Sequence, residues 1–460
     1  MKWTGLDVYL TAEMMGYAPR IFIEAPLMAL TDLSVGKIAQ RLGGSFHMAI
    51  VLSMTNWFMY YCGIRTYSNS IEGSLLTIAL SKWPLNKAEA SKFDLAFPLF
   101  LAALSIVIRT SSVVSWLYLG ICYALFDVGL TNKQLYQTIA VRVLPVGLVV
   151  LGASIVLDRI FYGRFVFVPY QFFDFNILRD IASSYGVHAT YWYMLECWPA
   201  ILGIQLPLFA FGVYTSWVEK SSVYCGQRFR LIGLIFFVLC VLSTSPHKEM
   251  RFAFPVLPAG IVVSSIGLNH PTTVKRRPHL VWIAIILGGL IPALYLSLYH
   301  QRAAIDLVLH LSANAEGKVD MLLPCHATPL YAFSHPVHSK ITEYSFLDCS
   351  PHQKELEFVP NLNTSFAYNG VSESKIFTQD PLRFTSERYS RLKPDEMPNV
   401  IVTGTMFLSG VGSGLKQVQA SQAQQVGSNQ QIQSYTVCAR FGYTRDSDVG
   451  EELLVLCRTV

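Results

Sequence analysis

Long apolar runs separated by short polar loops fill the first 300 residues of the chain. A helix needs roughly 17–25 predominantly apolar residues to cross a bilayer. About ten runs reach or approach that length, at 17–35, 44–63, 69–82, 93–108, 112–131, 137–158, 190–216, 229–245, 253–269 and 279–299. The runs at 69–82 and 93–108 are short, and we interpret them as tilted or re-entrant segments. The pattern predicts an all-α membrane bundle over residues 1–300.

The pattern becomes mixed polar and apolar beyond residue 300. Short strand-like runs occur at 321–323, 400–402 and 434–437. Residues 417–433 are rich in Gln, Ser and Ala, which predicts a flexible polar insertion. Asn363 begins an Asn-Thr-Ser triplet, an acceptor pattern for N-glycosylation. We therefore predict a separate mixed α/β domain over residues 301–460.

Lysine and arginine concentrate in alternate loops, which predicts the orientation of the bundle. The richer set of loops contains residues 37–41, 82–92, 133, 220–230 and 275–277. Cytoplasmic loops carry the excess of Lys and Arg, so we assign this set to the cytoplasm. Residues 65–72, 159–189 and 247–251 then lie on the opposite side, together with the whole tail.

The composition agrees with a membrane protein. Of the 460 residues, 52% are hydrophobic and 14% are charged, whereas soluble globular chains carry about 25% charged residues. Aromatic residues make up 13%, which suits aromatic belts at the two membrane faces. The net charge of +5 is small and dispersed, and it gives no indication of nucleic-acid binding.

The densest group of ionisable residues lies at 247–251, between two strongly apolar runs. It contains His247, Lys248, Glu249 and Arg251. Ionisable groups at a membrane boundary are costly and often functional. Lys248 or Arg251 could hold a phosphate, arginine through a two-point contact. The alternative is a cluster that only anchors the chain at the interface.

A second candidate group begins at Arg65. Arg65, Asn69 and Glu72 have the spacing of one helical face. This spacing would align a cation, an amide and a carboxylate at the start of a helix. The alternative is a helix cap with an internal ion pair.

The loop 159–189 interleaves aromatic, amide and acidic side chains, and it ends with Tyr185 and His188. Aromatic rings can pack against the apolar face of a sugar while polar groups bind its hydroxyls. The alternative is an amphipathic helix lying in the membrane surface. Both interpretations can hold for the same segment.

The nine cysteines divide unevenly between the bundle and the tail. Four of them lie in the tail, and four cysteines in an exported domain allow three pairings. The spacing does not choose among those pairings. The four are Cys325, Cys349, Cys438 and Cys457.

Several stretches together resemble one enzyme family. His247-Lys248-Glu249-Met250-Arg251-Phe252 resembles the HKExRF motif of glycosyltransferase family 22, the dolichol-phosphate-mannose-dependent mannosyltransferases of the endoplasmic reticulum. Residues 65–72, Arg-Thr-Tyr-Ser-Asn-Ser-Ile-Glu, resemble a second motif of that family, R-T-x-S-N-S-x-E. Further similarity lies in 175–193, in Leu-Pro-Cys-His-Ala-Thr-Pro at 323–329 and in Leu-Asp-Cys-Ser-Pro at 347–351. The resemblance covers nearly the whole chain.

The resemblance implies a GT-C fold, a polytopic bundle with lumenal loops and a lumenal tail, in the endoplasmic reticulum membrane. It implies transfer of mannose from dolichyl phosphate mannose to a glycolipid, the precursor of the glycosylphosphatidylinositol (GPI) anchor. The mannose would be the third of that glycan, joined by an α-1,2 bond with inversion. No cofactor is expected, because the donor is a lipid-linked sugar. We assign no metal ligands, since no Cys/His zinc spacing occurs in the sequence. The other partners expected are membrane lipids.

The resemblance also implies roles for the candidate residues. Lys248 and Arg251 would hold the donor phosphate, and Glu72 and Glu249 are weak candidates for the catalytic base. Cys325 and Cys349 are disulfide candidates. The remaining candidates for substrate binding are Arg65, Asn69, Tyr185, His188 and His247.

The chain departs from the family at its start. Members of the family begin with a spanning helix and a lumenal loop that bears an acidic motif, held to carry the catalytic carboxylate. We find no such loop near the start of this sequence, so we expect a truncated chain that transfers little mannose. The alternatives are a related mannosyltransferase for dolichol-linked oligosaccharides, a non-catalytic membrane protein, or a transporter. The two halves lack the matching interrupted helices of many transporters.

Overall fold

The computed structural model describes residues 12–90, 94–129, 133–219, 222–271, 278–333, 340–349, 372–426, 434–443 and 448–459. The chain divides into two compact units. One comprises Pro19–Ser297, and the other comprises Leu298–Val460 together with Met1–Ala18. The functional assignment of the predicted domains 1–300 and 301–460 stays a prediction.

Helices make up most of the described chain. The α-helices are α1 (Ala12–Pro19), α2 (Ala25–Arg41), α3 (Phe46–Thr55), α4 (Trp57–Gly63), α5 (Ser68–Leu80), α6 (Lys87–Ala90), α7 (Ala96–Ile108), α8 (Val113–Cys122), α9 (Lys133–Thr138), α10 (Leu144–Tyr162), α11 (Val168–Phe173), α12 (Trp198–Leu202), α13 (Leu206–Val218), α14 (Cys225–Thr244), α15 (Leu257–Asn269), α16 (Pro278–Leu298), α17 (Ala303–Asn314), α18 (Leu330–Phe333), α19 (Glu373–Gln379), α20 (Pro381–Tyr389) and α21 (Leu408–Val426). Shorter 3-10 or π-helical segments occupy Arg20–Glu24, Thr110–Ser112, Tyr123–Val128, Ile139–Val143, Asp174–Leu178, Ile181–Tyr185, Tyr193–Cys197, Gly203–Gln205 and Met250–Val256.

Six helical stretches in the described residues are long and apolar enough to cross a membrane, so the chain is a multi-pass membrane protein. They are Thr110–Val128, Lys133–Tyr162, Tyr193–Val218, Cys225–Thr244, Met250–Asn269 and His279–Asn314. The helices α3 and α7 are also apolar but shorter. The predicted total of about ten spans stays a prediction.

Helix α15 lies at the centre of the unit Pro19–Ser297. Every residue of α15 except Asn269 is buried, as expected for a helix that is apolar on all sides. Its neighbour α13 approaches closely through glycines, since a Cβ added to Gly212 would lie 2.1 Å from the carbonyl oxygen of Val263. Small residues allow such close contacts between membrane helices. In contrast, α10 has no buried residue.

The other unit contains a mixed five-stranded sheet. Its strands are β1 (Gly317–Leu322), β2 (Ile341–Phe346), β3 (Val400–Gly404), β4 (Ser434–Gly442) and β5 (Glu452–Thr459). They are arranged in the order β2-β1-β3-β5-β4. The strand β1 is parallel to both β2 and β3, while β5 is antiparallel to both β3 and β4. The strand-like runs in the sequence overlap three of these strands, although Leu323 of the first run lies beyond the end of β1.

A buried polar group joins this sheet to α20. The guanidinium of Arg388 contacts both carboxylate oxygens of Asp320, at 2.9 and 3.1 Å, and Tyr389 donates a hydrogen bond of 2.7 Å to the same carboxylate. Burial, and then the charge of Asp320, raises the pKa of Tyr389 well above its usual range.

The prediction of a flexible insertion at 417–433 is wrong for residues 417–426, which form the end of α21. Gln and Ala are good helix formers, and Ser is tolerated, so this composition is compatible with a helix. Residues 427–433 and the predicted glycosylation site at Asn363 lie outside the described residues.

Candidate functional site

The segment 245–256 connects α14 to α15 and contains the densest group of ionisable residues. The helix α14 ends at Thr244, and Ser245 adopts an extended conformation. This follows from the sequence, because a residue that precedes proline disfavours the helical conformation, and Pro246 comes next. The chain stays extended at Glu249 and then forms the 3-10 segment Met250–Val256. The charged side chains therefore lie on irregular backbone between two apolar helices.

Lys248 fastens this segment to the end of the loop 159–189. Its ammonium donates to the carbonyl oxygens of Ser245 at 2.5 Å and His188 at 3.0 Å, with a longer contact of 3.5 Å to Pro246. The residue is 3% exposed, and desolvation lowers the pKa of the ammonium. All three donors of the ammonium are directed at the protein's own backbone, so this arrangement does not support the predicted role of Lys248 in holding phosphate.

Glu249 and Arg251 form a two-point ion pair. Nη2 of Arg251 lies 2.9 Å from Oε1 of Glu249, and Nε lies 2.5 Å from Oε2. The guanidinium also lies 5.4 Å from the ring centroid of Tyr67. The side chain of Arg251 is 41% exposed, and its contacts with Glu249 use only one edge of the guanidinium. Arg251 is therefore the cation of this segment whose guanidinium still has an accessible edge for binding an anion.

The predicted residues Tyr185, His188 and His247 lie together. Nδ1 of His247 is 2.9 Å from the carbonyl oxygen of Gly186, and Nε2 is 3.2 Å from Glu249. A neutral imidazole can donate to only one of these acceptors. The ring of Tyr185 meets His247 edge-on at 6.3 Å between centroids. His188 donates from its backbone to Pro246 at 3.1 Å. These contacts unite two sequence segments about 60 residues apart.

A glycine between these residues permits the turn that brings them together. Gly186 has a φ of +116°, in the region that favours glycine. The ring of His188 stacks on Trp192 with a centroid separation of 4.4 Å. The end of the loop is thus held on one side by the segment 245–249 and on the other by the start of the next span.

The expectation of one helical face for Arg65, Asn69 and Glu72 is wrong for Arg65. The helix α5 begins at Ser68, so Arg65 lies in the preceding turn. Its Nε donates to the carbonyl oxygen of Tyr61 at 3.0 Å, and its guanidinium lies 3.8 Å from the centroid of the Tyr61 ring. Asn69 and Glu72 are both buried in α5, and Nδ2 of Asn69 has no hydrogen-bond partner among the described residues.

Glu72 pairs with an arginine that the sequence analysis missed. Nε of Arg109 lies 3.2 Å from Oε2 of Glu72, and the two side chains are 18% and 5% exposed. The guanidinium of Arg109 also lies 4.8 Å from the ring centroid of Phe252. Arg109 therefore connects α5 to the segment 245–256. Its signal in the sequence is a lone arginine between two apolar runs, on the side opposite the basic loops.

Tyr193 is a second residue that sequence reasoning missed. Its hydroxyl donates to the carbonyl oxygen of Glu249 at 3.2 Å and lies 3.3 Å from the backbone nitrogen of the same residue. Tyr193 is fully buried, and it fixes the backbone beneath the Glu249–Arg251 pair. Nothing in its apolar surroundings distinguishes it from other tyrosines of the bundle.

The disulfide candidates in the tail are paired. Cys325 is bonded to Cys349, and Cys438 is bonded to Cys457. This is one of the three pairings that the cysteine count allowed. The second bond joins the neighbouring strands β4 and β5, where Thr436 and Cys457 are register partners.

Comparisons with known proteins agree on one family. The model of the Alg9-like mannosyltransferase family matches residues 6–335. "Mannosyltransferase APTG1" of Arabidopsis thaliana is 32% identical over 84% of this chain and 70% of its own length. "GPI alpha-1,2-mannosyltransferase 3" of Bos taurus is 32% identical over 74% of this chain, and "GPI mannosyltransferase 3" of Drosophila melanogaster is 33% identical over 75%.

The matched part covers 60% of the length of both the Bos taurus and the Drosophila melanogaster relatives. No solved structure matches the chain significantly. The family model spans more than half of the chain, and it includes α5, Arg109, the loop 159–189 and the segment 245–256. The chain belongs to the Alg9-like mannosyltransferase family.

Proposed function

We propose that the chain transfers mannose from dolichyl phosphate mannose to a GPI-anchor precursor in the endoplasmic reticulum membrane. The mannose is the third of the glycan and is joined by an α-1,2 bond with inversion. Family membership and the names of the relatives from Bos taurus and Drosophila melanogaster support this proposal. The partners are then a lipid-linked donor and a glycolipid acceptor.

One structural observation carries the chemistry: a partly exposed guanidinium is fixed in direction at the end of a candidate span. Glu249 holds one edge of Arg251, and the free edge remains available for the donor phosphate. Arginine suits this role because its fork matches two oxygens of one phosphate. Negative charge grows on the phosphate as the sugar leaves, and a fixed cation stabilises that charge.

The sugar would lie beside the end of the loop 159–189. Tyr185 and His188 lie next to His247. The three side chains together offer ring faces and polar atoms within one small region. Lys248 acts through its backbone contacts, since it holds His188 near the segment 245–249. It is a positioning residue in this proposal.

We assign no catalytic base. Glu249 uses both carboxylate oxygens in its contacts with Arg251 and His247. Glu72 is 5% exposed and paired with Arg109, so a sugar hydroxyl cannot reach it without rearrangement. Both carboxylates position cations in this arrangement.

The fold that accompanies this function is a GT-C bundle with about ten spans. The helices α2, α3, α4, α5 and α7 coincide with the predicted apolar runs before residue 109, and we propose that they supply the spans beyond the six long ones. The donor brings its own activated leaving group, so the reaction requires no cofactor.

The test is a complementation experiment in cells that lack the third mannosyltransferase of GPI assembly. We expect the gene that encodes this chain to restore surface GPI-anchored proteins, and Arg251→Ala to lower transfer with a raised KM for the donor. Loss of one hydrogen bond to a charged group costs about 1.5–3 kcal/mol, a factor of about 10–150. Arg159→Ala, at the exposed end of α10, is the matched control. Failure in these cells, together with restoration of dolichol-linked oligosaccharides in cells that lack the related mannosyltransferase of that pathway, would contradict the proposed acceptor.

A further inference from the structure

Two helices are interrupted inside the bundle, and the two interruptions lie against each other. Asn56 separates α3 from α4 with extended backbone, at φ −71° and ψ 122°. Gly203 separates α12 from the short segment before α13, and its φ of +54° favours glycine. Gly203 lies about 15 Å along the candidate span Tyr193–Val218, close to half the thickness of the hydrocarbon core. We call residues 52–57 and 200–205 together the helix junction.

Polar side chains from each interruption bind backbone carbonyls of the other. Nδ2 of Asn56 donates to the carbonyl oxygen of Ile201 at 3.1 Å. In the other direction, Nε2 of Gln205 donates to the carbonyl oxygen of Leu52 at 2.8 Å. Both carbonyls lie in the last turn of a helix, where they have no intrahelical backbone donor. Non-helical backbone within a membrane must be satisfied by the protein, and here each interruption satisfies the other.

Asn56 also caps the helix that follows it. Its Oδ1 accepts hydrogen bonds from the backbone nitrogens of Phe58 and Met59, at 3.1 and 2.9 Å. Asparagine suits this position because its side chain satisfies free N–H groups at the start of a helix. The residue is 1% exposed, so water does not compete for either set of contacts. One amide therefore fixes both the start of α4 and the contact with the second interruption.

Close packing makes the helix junction rigid. Nε1 of Trp57 donates to the carbonyl oxygen of Ala200 at 2.9 Å, and a Cβ added to Gly203 would lie 3.2 Å from the Trp57 ring. The helix α16 contacts the junction through Gly289, where an added Cβ would lie 1.7 Å from the carbonyl oxygen of Thr55. Glycines permit such close contacts between membrane helices. The junction therefore has little room to relax, and it holds its two helices in one arrangement.

The half-helices that leave the junction both lead to the Glu249–Arg251 pair. The chain beyond α4 reaches Tyr67, whose ring centroid lies 5.4 Å from the guanidinium of Arg251. The other half-helix runs back from Ile201 to Tyr193, about 12 Å along a helix. The hydroxyl of Tyr193 donates to the carbonyl oxygen of Glu249 at 3.2 Å. The ion pair is thus supported on two sides by segments that begin at the same junction.

We propose that Asn56 is a positioning residue for the mannosyl transfer, an inference that rests on the function proposed above. Its amide joins the two half-helices into one support, through which Tyr67 contacts Arg251 and Tyr193 contacts Glu249. Loss of the amide lets the half-helices shift independently, so the guanidinium loses its fixed direction. A phosphate ligand displaced in this way weakens binding of the donor and leaves binding of the acceptor unchanged.

Three variants of the full chain, purified in detergent, test this role. Asn56→Ser keeps a cap for α4, but the serine side chain is too short to reach the carbonyl of Ile201. Trp57→Phe keeps an aromatic ring and loses the hydrogen bond to Ala200. It is the milder change and decides the test by the same criteria where Asn56→Ser does not fold. Ser45→Ala is the matched control, because Ser45 caps the start of α3, away from the junction.

Two measurements are made on each variant. The KM for the donor should rise about three- to tenfold in Asn56→Ser and Trp57→Phe, the range that one uncharged hydrogen bond supports, while the KM for the acceptor stays unchanged. Hydrogen exchange in 249–252 should be about three- to tenfold faster, because the backbone nitrogen of Glu249 lies 3.3 Å from the hydroxyl of Tyr193. Ser45→Ala should change neither quantity, although the loss of a cap lowers stability.

An unchanged donor KM together with unchanged exchange at 249–252 in folded Asn56→Ser would overturn the proposal. Equal changes in Ser45→Ala and Asn56→Ser would also overturn it, because they would show a general loss of stability. If the unmodified protein transfers no mannose, the proposed function fails, and the exchange at 249–252 alone then decides whether Asn56 positions the pair.

Discussion

The contacts of Lys248 predict that its replacement detaches the end of the loop 159–189. In Lys248→Met the side chain keeps a similar length but loses all three donors. The carbonyl oxygens of Ser245 and His188 then lose their shortest contacts with the ammonium, at 2.5 and 3.0 Å. Among the described residues, the backbone hydrogen bond from His188 to Pro246 then remains between the main chains of these two segments.

The magnitude follows from two opposing effects. A hydrogen bond to a charged group contributes about 1.5–3 kcal/mol, so two of them would contribute about 3–6 kcal/mol. Methionine avoids the desolvation of a buried ammonium, the effect that lowers the pKa of Lys248, and this offsets part of the loss. We expect a net cost of about 1.5–3 kcal/mol, which makes local opening about 10–150 times more frequent.

Hydrogen exchange measured by mass spectrometry on the purified protein is the assay. Peptides covering 186–190 should exchange about 10–150 times faster in Lys248→Met, in line with the local opening. Lys340→Met is the control, because Lys340 is 77% exposed and its ion pair with Glu316 lies at the surface. Unchanged protection of 186–190, together with a raised KM for the donor, would refute the reasoning and return Lys248 to the role of a phosphate ligand.

Three further predictions concern the buried pairs and the orientation of the chain. Arg109→Met should lower the free energy of unfolding by about 3–5 kcal/mol, because it leaves the buried carboxylate of Glu72 without its cation; denaturant titration in detergent measures this. The contribution of Tyr389 to the stability of the unit that contains the five-stranded sheet should be constant below about pH 10 and should fall at higher pH. The folded state raises the pKa of Tyr389 and holds its proton longer than the unfolded state; denaturation at graded pH measures this. Glycosylation sites introduced singly at 178 and 222 should be modified at 178 only, because 222 lies in a basic, cytoplasmic loop.

Each of these predictions has a matched control or a contrary outcome. Arg142→Met removes an arginine from an exposed pair and should change stability by less than about 1 kcal/mol. Tyr389→Phe should remove part of the alkaline loss, because burial also raises the pKa of Tyr435 and Tyr443 in the same unit. Persistence of the full loss would show that Tyr389 does not contribute to it. Modification at 222 and not at 178 would reverse the predicted orientation.

The sequence alone determined that the chain is a helical membrane protein. Apolar runs of spanning length need no tertiary information, because each helix satisfies its own backbone hydrogen bonds within the bilayer. The strand-like runs of the tail overlap β1, β3 and β4 for a similar local reason. Local patterns failed at 417–426, where a polar composition that suits a loop also suits a helix.

The sequence also identified the residues of the candidate site through their motif, but it did not determine what each one does. The predicted phosphate ligands Lys248 and Arg251 differ in burial and in their partners. Their spacing of three residues along the chain does not predict this difference. Backbone carbonyls surround Lys248, whereas a carboxylate holds Arg251 by one edge. These differences arise because the main chain is extended at Ser245 and Glu249 and then forms a 3-10 segment, so neighbouring side chains point to different surroundings.

Only the tertiary structure decided which distant residues meet. Glu72 was expected to align with Arg65, yet it pairs with Arg109 on another helix. Asp127 pairs with Arg230, which lies 103 residues further along the chain, and the spacing of neither residue predicts that pair. Charges buried in a bundle must find opposite charges or donors within a few ångströms. Helix packing decides which ones come within reach, whereas spacing along the chain governs only contacts within a single helix.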